Sequence, residues 1–237
     1  MIEKLRCGMA SQIEILAYQA SFIDFLVSSG ALTFGDFVTK SGRKTPYFVN
    51  TGNFNDGTKI AKLGSFYAAH LVAQGYGSAD IIFGPAYKGI PLCVTTASAL
   101  ATQHNINVGF TFDRKEVKDH GDGGRIVGRI IKDGDKIVLV EDVITAGTTL
   151  REIVPFLKVL AKVDILGVII AVDRCEKGAG TLSAVQEAEE NLAVKVRPIV
   201  SIHHIVQYLS QPNGSGFQLN SQLQKRIAEY LEIYGAA

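Results

Sequence analysis

The stretch Ile137-Val-Leu-Val-Glu141-Asp142-Val-Ile-Thr145-Ala-Gly147-Thr148-Thr149-Leu150 decides how the chain is read. It opens with a β-branched and aliphatic run, the composition of a strand buried on both faces, and stops at two adjacent carboxylates. A turn of small residues follows and opens a helix. Open α/β sheets gather their ligands at such strand ends. The turn from Thr145 through Ala146 and Gly147 to Thr148 and Thr149 can aim successive backbone N–H groups and three hydroxyls at one point. The N-terminus of the next helix adds partial positive charge, so the segment has the chemistry of a phosphate monoester socket. Glu141 and Asp142, as ionised acceptors, suit ribose hydroxyls or, through water, a magnesium ion. An ordinary capped helix after a strand would also use acids and threonines here. Two neighbouring carboxylates fit that reading less well, because alternation turns one of them toward the sheet interior unless the strand ends there.

Outward from this segment the pattern repeats. β-rich runs at 79–83, 107–112, 136–143, 164–172 and 194–200 are separated by helical segments, which include 90–104, 148–163 and 182–192. This alternation predicts an α/β fold with a mostly parallel central sheet covered by helices on both faces. Two further helices are predicted at 202–209 and 219–234. At the other end, Ser11 and Glu14 have capping-box spacing, and Ile15, Tyr18, Phe22 and Leu26 recur at helical intervals until Gly30 offers a stop. Short strands at 32–38 and 46–50 flank a basic turn, and a helix at 58–74 follows. We read one domain over residues 1–237, with residues 1–55 forming much of an N-terminal helix-and-strand elaboration.

Composition narrows the function classes. The 237 residues are 47% hydrophobic and 20% charged, which is globular composition and excludes disordered or collagen-like architectures. A net charge of +1 leaves no global field to recruit nucleic acid or an anionic membrane, so neither is expected as a partner and any anion site must be local. The longest strongly apolar stretch, Ile165 to Val172, is far shorter than the roughly 20 residues of a membrane helix. Charged residues interrupt the N-terminal segment, so no signal-peptide core is expected. Cys7, Cys93 and Cys175 are odd in number and widely spaced, which suits neither a disulfide framework nor a zinc cluster, and a reducing, cytoplasmic setting is expected. His203-His204, with no cysteine or carboxylate nearby, reads as a helix start. The chain has no G-x-x-x-x-G-K-[ST], and Gly121, Gly123 and Gly124 do not complete G-x-G-x-x-G.

A second segment, Asp113-Arg114-Lys115-Glu-Val-Lys118-Asp-His120-Gly121-Asp-Gly123-Gly124, combines four potential cations with hinge-capable glycines. Such a loop can close over a polyanion, although a solvated charge run has the same composition.

The strand, acidic doublet and T-x-G-x-T-type loop resemble the signature of the phosphoribosyltransferase family. The second segment is similar to the mobile loop of the orotate-specific members, whose R-K-x-x-K-x-H-G pattern is matched by Arg114, Lys115, Lys118, His120 and Gly121. The resemblance extends to Lys40-Ser-Gly-Arg-Lys-Thr-Pro-Tyr47-Phe48, to Gly84-Pro-Ala-Tyr87-Lys88-Gly89-Ile-Pro91 and to Asp173-Arg174. It implies the type I phosphoribosyltransferase fold with an N-terminal hood, and binding of 5-phosphoribosyl 1-pyrophosphate. The loop from Glu141 and Asp142 through Val143, Ile144 and Thr145 to Thr149 would hold the 5-phosphate and ribose. Lys40, Lys88, Arg114, Lys115, Lys118 and His120 would serve the pyrophosphate, and Tyr87 would also bind phosphoribosyl pyrophosphate. Phe48 would stack on the pyrimidine, Arg174 would pair with the orotate carboxylate, and Thr145 would also touch the base. Lys118, His120 and Asp142 are the candidate catalytic residues.

The implied reaction displaces pyrophosphate from ribose C1 by orotate, giving orotidine 5-monophosphate in pyrimidine biosynthesis. Magnesium is the implied cofactor, held through substrate and water with no direct protein side-chain ligand. The family resemblance also implies a homodimer whose mobile loop is shared across subunits. Two departures touch this match: the doublet is Glu-Asp where some members carry Asp-Asp, and Val49 follows Phe48 where some have a second aromatic. A phosphoribosyltransferase for another base, or a non-catalytic sensor of phosphoribosyl pyrophosphate, would share the phosphate loop. The Arg114-to-Gly121 pattern weighs against the first, and the absence of a spare basic domain against a nucleic-acid-binding form of the second. The length leaves no room for a second, barrel-type decarboxylase domain.

Overall fold

The computed structural model describes residues 13–39, 42–116, 124–144, 147–178 and 180–236. A first helix, α1 (Ala17–Ser28), leads into an antiparallel hairpin of β1 (Leu32–Val38) and β2 (Lys44–Val49), with a short 3-10 turn at Thr51–Asn53. The chain continues through α2 (Gly57–Ala73), β3 (Ile81–Gly84), α3 (Gly89–His104), β4 (Gly109–Asp113) and β5 (Ile126–Gly128). Then come β6 (Lys136–Glu141), α4 (Thr148–Leu160), β7 (Asp164–Asp173), α5 (Ala184–Leu192), β8 (Val196–Ser201), α6 (Ile202–Leu209) and α7 (Ser221–Tyr234).

The six strands β3 to β8 form one sheet in the order β5-β4-β3-β6-β7-β8, parallel throughout except for the edge strand β5. The α/β sheet expected from the strand-helix alternation is therefore present. Alternation along each strand divides the buried side chains between two cores. Ile82, Val138, Val140, Ile169 and Ala171 face the side packed by α1, α2, α3 and α6. Ile81, Phe83, Ile137, Leu139, Val168 and Ile170 face α4 and α5. Full burial of each of the valine, leucine, isoleucine and phenylalanine side chains contributes about 1.5–3 kcal/mol, and this two-sided burial is why the strands read as continuous apolar runs.

Two local expectations are corrected. The first helix begins at Ala17, and the residue reached by its N-terminal cap is Leu16, whose N–H donates to Gln19 Oε1 at 2.9 Å. Ile15 precedes the helix, and Ser11 lies outside the described residues. Its buried stripe is nevertheless Phe22, Ile23, Phe25 and Leu26, and Gly30 follows it in a left-handed conformation at φ +70°. The second correction is β5, three residues long and pairing antiparallel with β4 through Asp113↔Ile126. A three-residue edge strand is too short for alternation to mark it. His203 and His204 do start a helix: Ser201 caps α6, and its hydroxyl lies 2.7 Å from His204 Nδ1.

The order of strands reverses between β3 and β6. From β3 the chain steps to β4 on one side, and from β6 it steps to β7 on the other. The turn after β3 depends on a close approach of Gly84 to Gly89, where a Cβ on Gly84 would lie 1.9 Å from the Gly89 carbonyl oxygen. Backbone cannot yield there as a side chain would. Gly84→Ala is expected to destabilise the protein by about 3 kcal/mol and to lower its melting temperature by roughly 6–12 °C, measured by thermal unfolding.

Candidate active site

The crevice at the carboxyl ends of β3 and β6 collects most of the described candidates. Lys88 stands immediately before α3, and Glu141 and Asp142 end β6. The strand does end at Glu141, so neither carboxylate is driven through the sheet. The Glu141 carbonyl accepts from the buried Tyr67 hydroxyl at 2.7 Å, and the Asp142 carbonyl accepts from Ala171 N–H at 2.9 Å. These bonds fix the backbone that carries the acidic pair.

Asp142 is only 7% exposed and is the acceptor at the centre of a three-residue cluster. Its Oδ2 accepts from Lys88 Nζ and from the Thr51 hydroxyl, both at 2.6 Å, and Lys88 also reaches Thr51 Oγ1 at 3.3 Å. Thr51 comes from the turn after the hairpin, so three separate segments meet at one oxygen. Burial opposes the charge on Asp142, but hydrogen bonds from Lys88 and Thr51 outweigh it and hold the carboxyl below the ordinary aspartate value. Burial, reinforced by Asp142 alongside, pushes the Glu141 carboxyl up to about 8. The two shifts run in opposite directions, so the surroundings favour the charge on Asp142 over that on Glu141. A raised pKa favours the protonated form of Glu141, which can donate as well as accept.

Asp142, Lys88 and Thr51 line a cavity of about 180 Å³ together with Phe54, Tyr67 and Ala171. Asp142 of the acidic pair therefore faces a cavity, shared with Lys88 and Thr51. A larger groove of about 490 Å³ between β2 and α7 shares none of these residues and holds no part of the acidic pair.

Gly147 caps α4 at φ +65°, a left-handed conformation open to glycine at little cost, and Thr148 and Thr149 begin the helix. The first turn of α4 is thus placed to offer backbone N–H groups, while Val143 and Ile144, half-buried, lead into it. Thr145 and Ala146 lie outside the described residues, as do Lys40, Lys118 and His120. Tyr87 is 71% exposed beside Lys88. Arg114 and Lys115 follow β4, and Arg114 N–H donates to the Arg125 carbonyl at 2.7 Å, closing the base of the segment between them. Buried Asp113 ties that base to the turn after β3 by accepting from Ala86 N–H at 2.6 Å.

Phe48 is 37% exposed and stacks on Phe37 at 5.6 Å, so one face of its ring is already covered. Arg174 follows β7 at the same end of the sheet. Arg174 Nη2 donates to Glu176 Oε1 at 2.6 Å, and Asp173 accepts from Cys175 N–H at 2.8 Å. Burial works against the guanidinium charge, but Glu176, Tyr47 and Tyr230 together more than offset this and raise its pKa.

Three residues of this region carry no signal of their own in the sequence, Thr51, Tyr67 and Glu176, and Tyr47 stands in the matched hood segment without a role assigned to it. Thr51 follows the matched hood segment by three positions, and Glu176 follows Arg174 by two, so proximity in sequence was their only signal. Tyr67 lies on α2, where it reads simply as part of a buried helical face.

The phosphoribosyl transferase domain model matches residues 50–205. The orotate phosphoribosyltransferase of Clostridium beijerinckii is 48% identical over 221 residues, covering 93% of this chain and 99% of that protein. That of Bifidobacterium longum is 48% identical over 233 residues, covering 94% and 99%. Among solved structures, the orotate phosphoribosyltransferase of Francisella tularensis superposes with a TM-score of 0.80 at 35% identity, covering 92% of this chain and all of that one. With a parallel sheet, an acidic pair at its switch point and relatives matched along nearly their whole length, the chain belongs to the orotate phosphoribosyltransferase family.

Proposed function

We propose that the chain transfers the 5-phosphoribosyl group from phosphoribosyl pyrophosphate to orotate, releasing pyrophosphate and giving orotidine 5-monophosphate. The observation that carries this reading is the Asp142 cluster, which sets one ionised carboxylate and one lysine side by side where β3 and β6 diverge. Asp142 would accept from the ribose diol with Glu141 next to it, and Lys88 and Tyr87 would turn to the pyrophosphate. The Gly147–Thr149 turn, with Thr145 and Ala146, would hold the 5-phosphate. Before substrate enters, Lys88 and Asp142 neutralise each other. Substrate offers each a better partner, a polyanion for the lysine and hydroxyl donors for the carboxylate.

No side-chain nucleophile is needed. As the bond to pyrophosphate breaks, positive charge grows on the ribose ring and negative charge on the leaving group, and catalysis is electrostatic stabilisation with alignment. Lys118 and His120, with Arg114 and Lys115 at the base of their loop, would meet the charge on pyrophosphate, and Lys40 would add to it. The donor set fits magnesium bound mainly through substrate oxygens and water. It consists of two adjacent carboxylates, one of them ionised, and the described residues contain no cluster of three or more metal-ligating groups. Glu141 and Asp142 would hold the ion through water; when bound, magnesium supplies positive charge to the leaving pyrophosphate.

The same reading includes one domain over residues 1–237, with residues 1–55 forming much of the hood. It also includes a homodimer that shares the loop across subunits. Phe110 and Ile130, large apolar residues exposed near the β4–β5 edge, support a partner there. A cytosolic setting is in keeping with Cys93 and Cys175 as free thiols. No helix among the described residues is long and apolar enough to cross a membrane.

Pyrophosphate release that depends on orotate, and not on other bases, tests the reaction. Within it, Arg174→Ala is expected to raise the KM for orotate about tenfold or more while the KM for phosphoribosyl pyrophosphate stays near its starting value. An unchanged orotate KM would move the carboxylate clamp elsewhere.

A further inference from the structure

Arg174 is held by Glu176 and by the Tyr47 ring. Its Nη2 donates to Glu176 Oε1 at 2.6 Å, and the same oxygen accepts from the Tyr47 hydroxyl at 2.8 Å. The guanidinium carbon lies 5.3 Å from the centre of the Tyr47 ring. Tyr47 is fully buried on β2 and meets Tyr230 of α7 edge-on at 5.9 Å. Arg174 Nε is also buried, yet it has no hydrogen-bond partner among the described residues. A buried donor without an acceptor is costly, and one belonging to an arginine at the carboxyl end of the sheet points to an anionic group that arrives with a ligand.

Glu176 is the fixed member of this pair. Its backbone bridges to Gly235, with Lys177 N–H donating to the Tyr234 carbonyl and Ala236 N–H to the Cys175 carbonyl, both at 2.8 Å. Arg43 closes the same corner from the hairpin side, donating to the Lys177 carbonyl at 3.1 Å. The anchors Tyr47 and Tyr234 to Ala236 lie outside residues 50–205, the part matched by the phosphoribosyl transferase domain model.

We infer that Glu176 is a positioning residue for base recognition. Clamped between the hood tyrosine and the C-terminal tail, it takes one end of the Arg174 guanidinium and fixes the orientation in which the rest of the group, with its unpartnered Nε–H, meets the substrate carboxylate. A free arginine would lose rotamer freedom each time it bound substrate; one held by Glu176 and stacked on Tyr47 has lost it already. The parts of the chain outside the shared domain thereby tune affinity for the base. This inference rests on Arg174 as the orotate-carboxylate partner.

Steady-state kinetics of the full chain test it, with Glu176→Gln, Tyr47→Phe, Arg174→Ala and the Glu176→Gln/Arg174→Ala double variant. Glu176→Gln is expected to raise the orotate KM about tenfold, with kcat and the phosphoribosyl pyrophosphate KM within about twofold of the parent. Tyr47→Phe, which keeps every charge in place, is expected to raise the orotate KM roughly two- to fivefold. In the double variant the orotate KM is expected to match Arg174→Ala alone. A lower or unchanged orotate KM in Glu176→Gln, a parallel loss in kcat and both KM values, or additive effects in the double variant would each overturn the inference. If Glu176→Gln does not fold, Tyr47→Phe decides, and an unchanged orotate KM there overturns it. An unchanged orotate KM in Arg174→Ala would overturn instead the carboxylate assignment beneath it.

Discussion

Lys118→Ala is expected to lower turnover by about 10²- to 10³-fold, the loss typical of removing one preorganised group that meets charge developing in the transition state. The melting temperature should move by no more than about 2 °C. The contrast follows from where the segment begins and ends. Arg114 and Arg125 close its base by a backbone hydrogen bond, and Asp113 bonds that base to Ala86, one residue from Tyr87 and two from Lys88. The segment thus leaves the sheet beside the residues proposed for pyrophosphate. Its described flanks, 114–116 with Gly124 and Arg125, belong to neither core cluster, so little packing is at stake. Single-turnover kinetics beside thermal unfolding checks both halves. Near-native turnover with orotate would remove Lys118 from the proposed mechanism, and a collapse in melting temperature would make its role structural.

Asp142→Ala is expected to weaken phosphoribosyl pyrophosphate binding about 100-fold, measured by calorimetric titration with magnesium present. Two charge-assisted hydrogen bonds to ribose hydroxyls, at about 1.5–3 kcal/mol each, are lost together. The substitution also releases Lys88 and Thr51, which share Asp142 Oδ2. Stability should change far less than affinity, because Lys88 is 64% exposed and an ion pair with one solvated partner contributes little to folding. Glu141 adds a distinguishing detail. With its neighbour's charge gone, one of the influences holding the Glu141 carboxyl near 8 disappears, so that group should titrate closer to the ordinary glutamate range. An unaltered affinity in Asp142→Ala would show that the ribose is read by other groups.

Much of this was legible before folding was considered. The run 137–140 is apolar on both sides of its strand because helices cover both faces of the sheet, and that leaves a clear pattern in the chain. The turn at Gly147 announces itself by small residues between a strand and a helix. Short elements fared worse. β5 has three residues, less than two alternation periods, and the start of α1 was misplaced because Gln19 reaches back to cap it where the Ser11–Glu14 spacing suggested another start.

The site divides along the same line. Residue types that carry chemistry, and their neighbours within a turn of the chain, were recoverable because strand and helix periods are local properties of the backbone. Partnerships were not. Thr51 and Asp142 lie 91 positions apart, Lys88 and Asp142 54, and Tyr47 and Glu176 129. Which carboxylate of the pair keeps its charge depends on burial and on those distant donors, and neither exists until the sheet, hood and C-terminal tail have packed together. Local pattern therefore marked the architecture and the candidate groups; tertiary contact alone set their partners and the direction of their pKa shifts, since electrostatic energies depend on separations in space and on the water excluded around them.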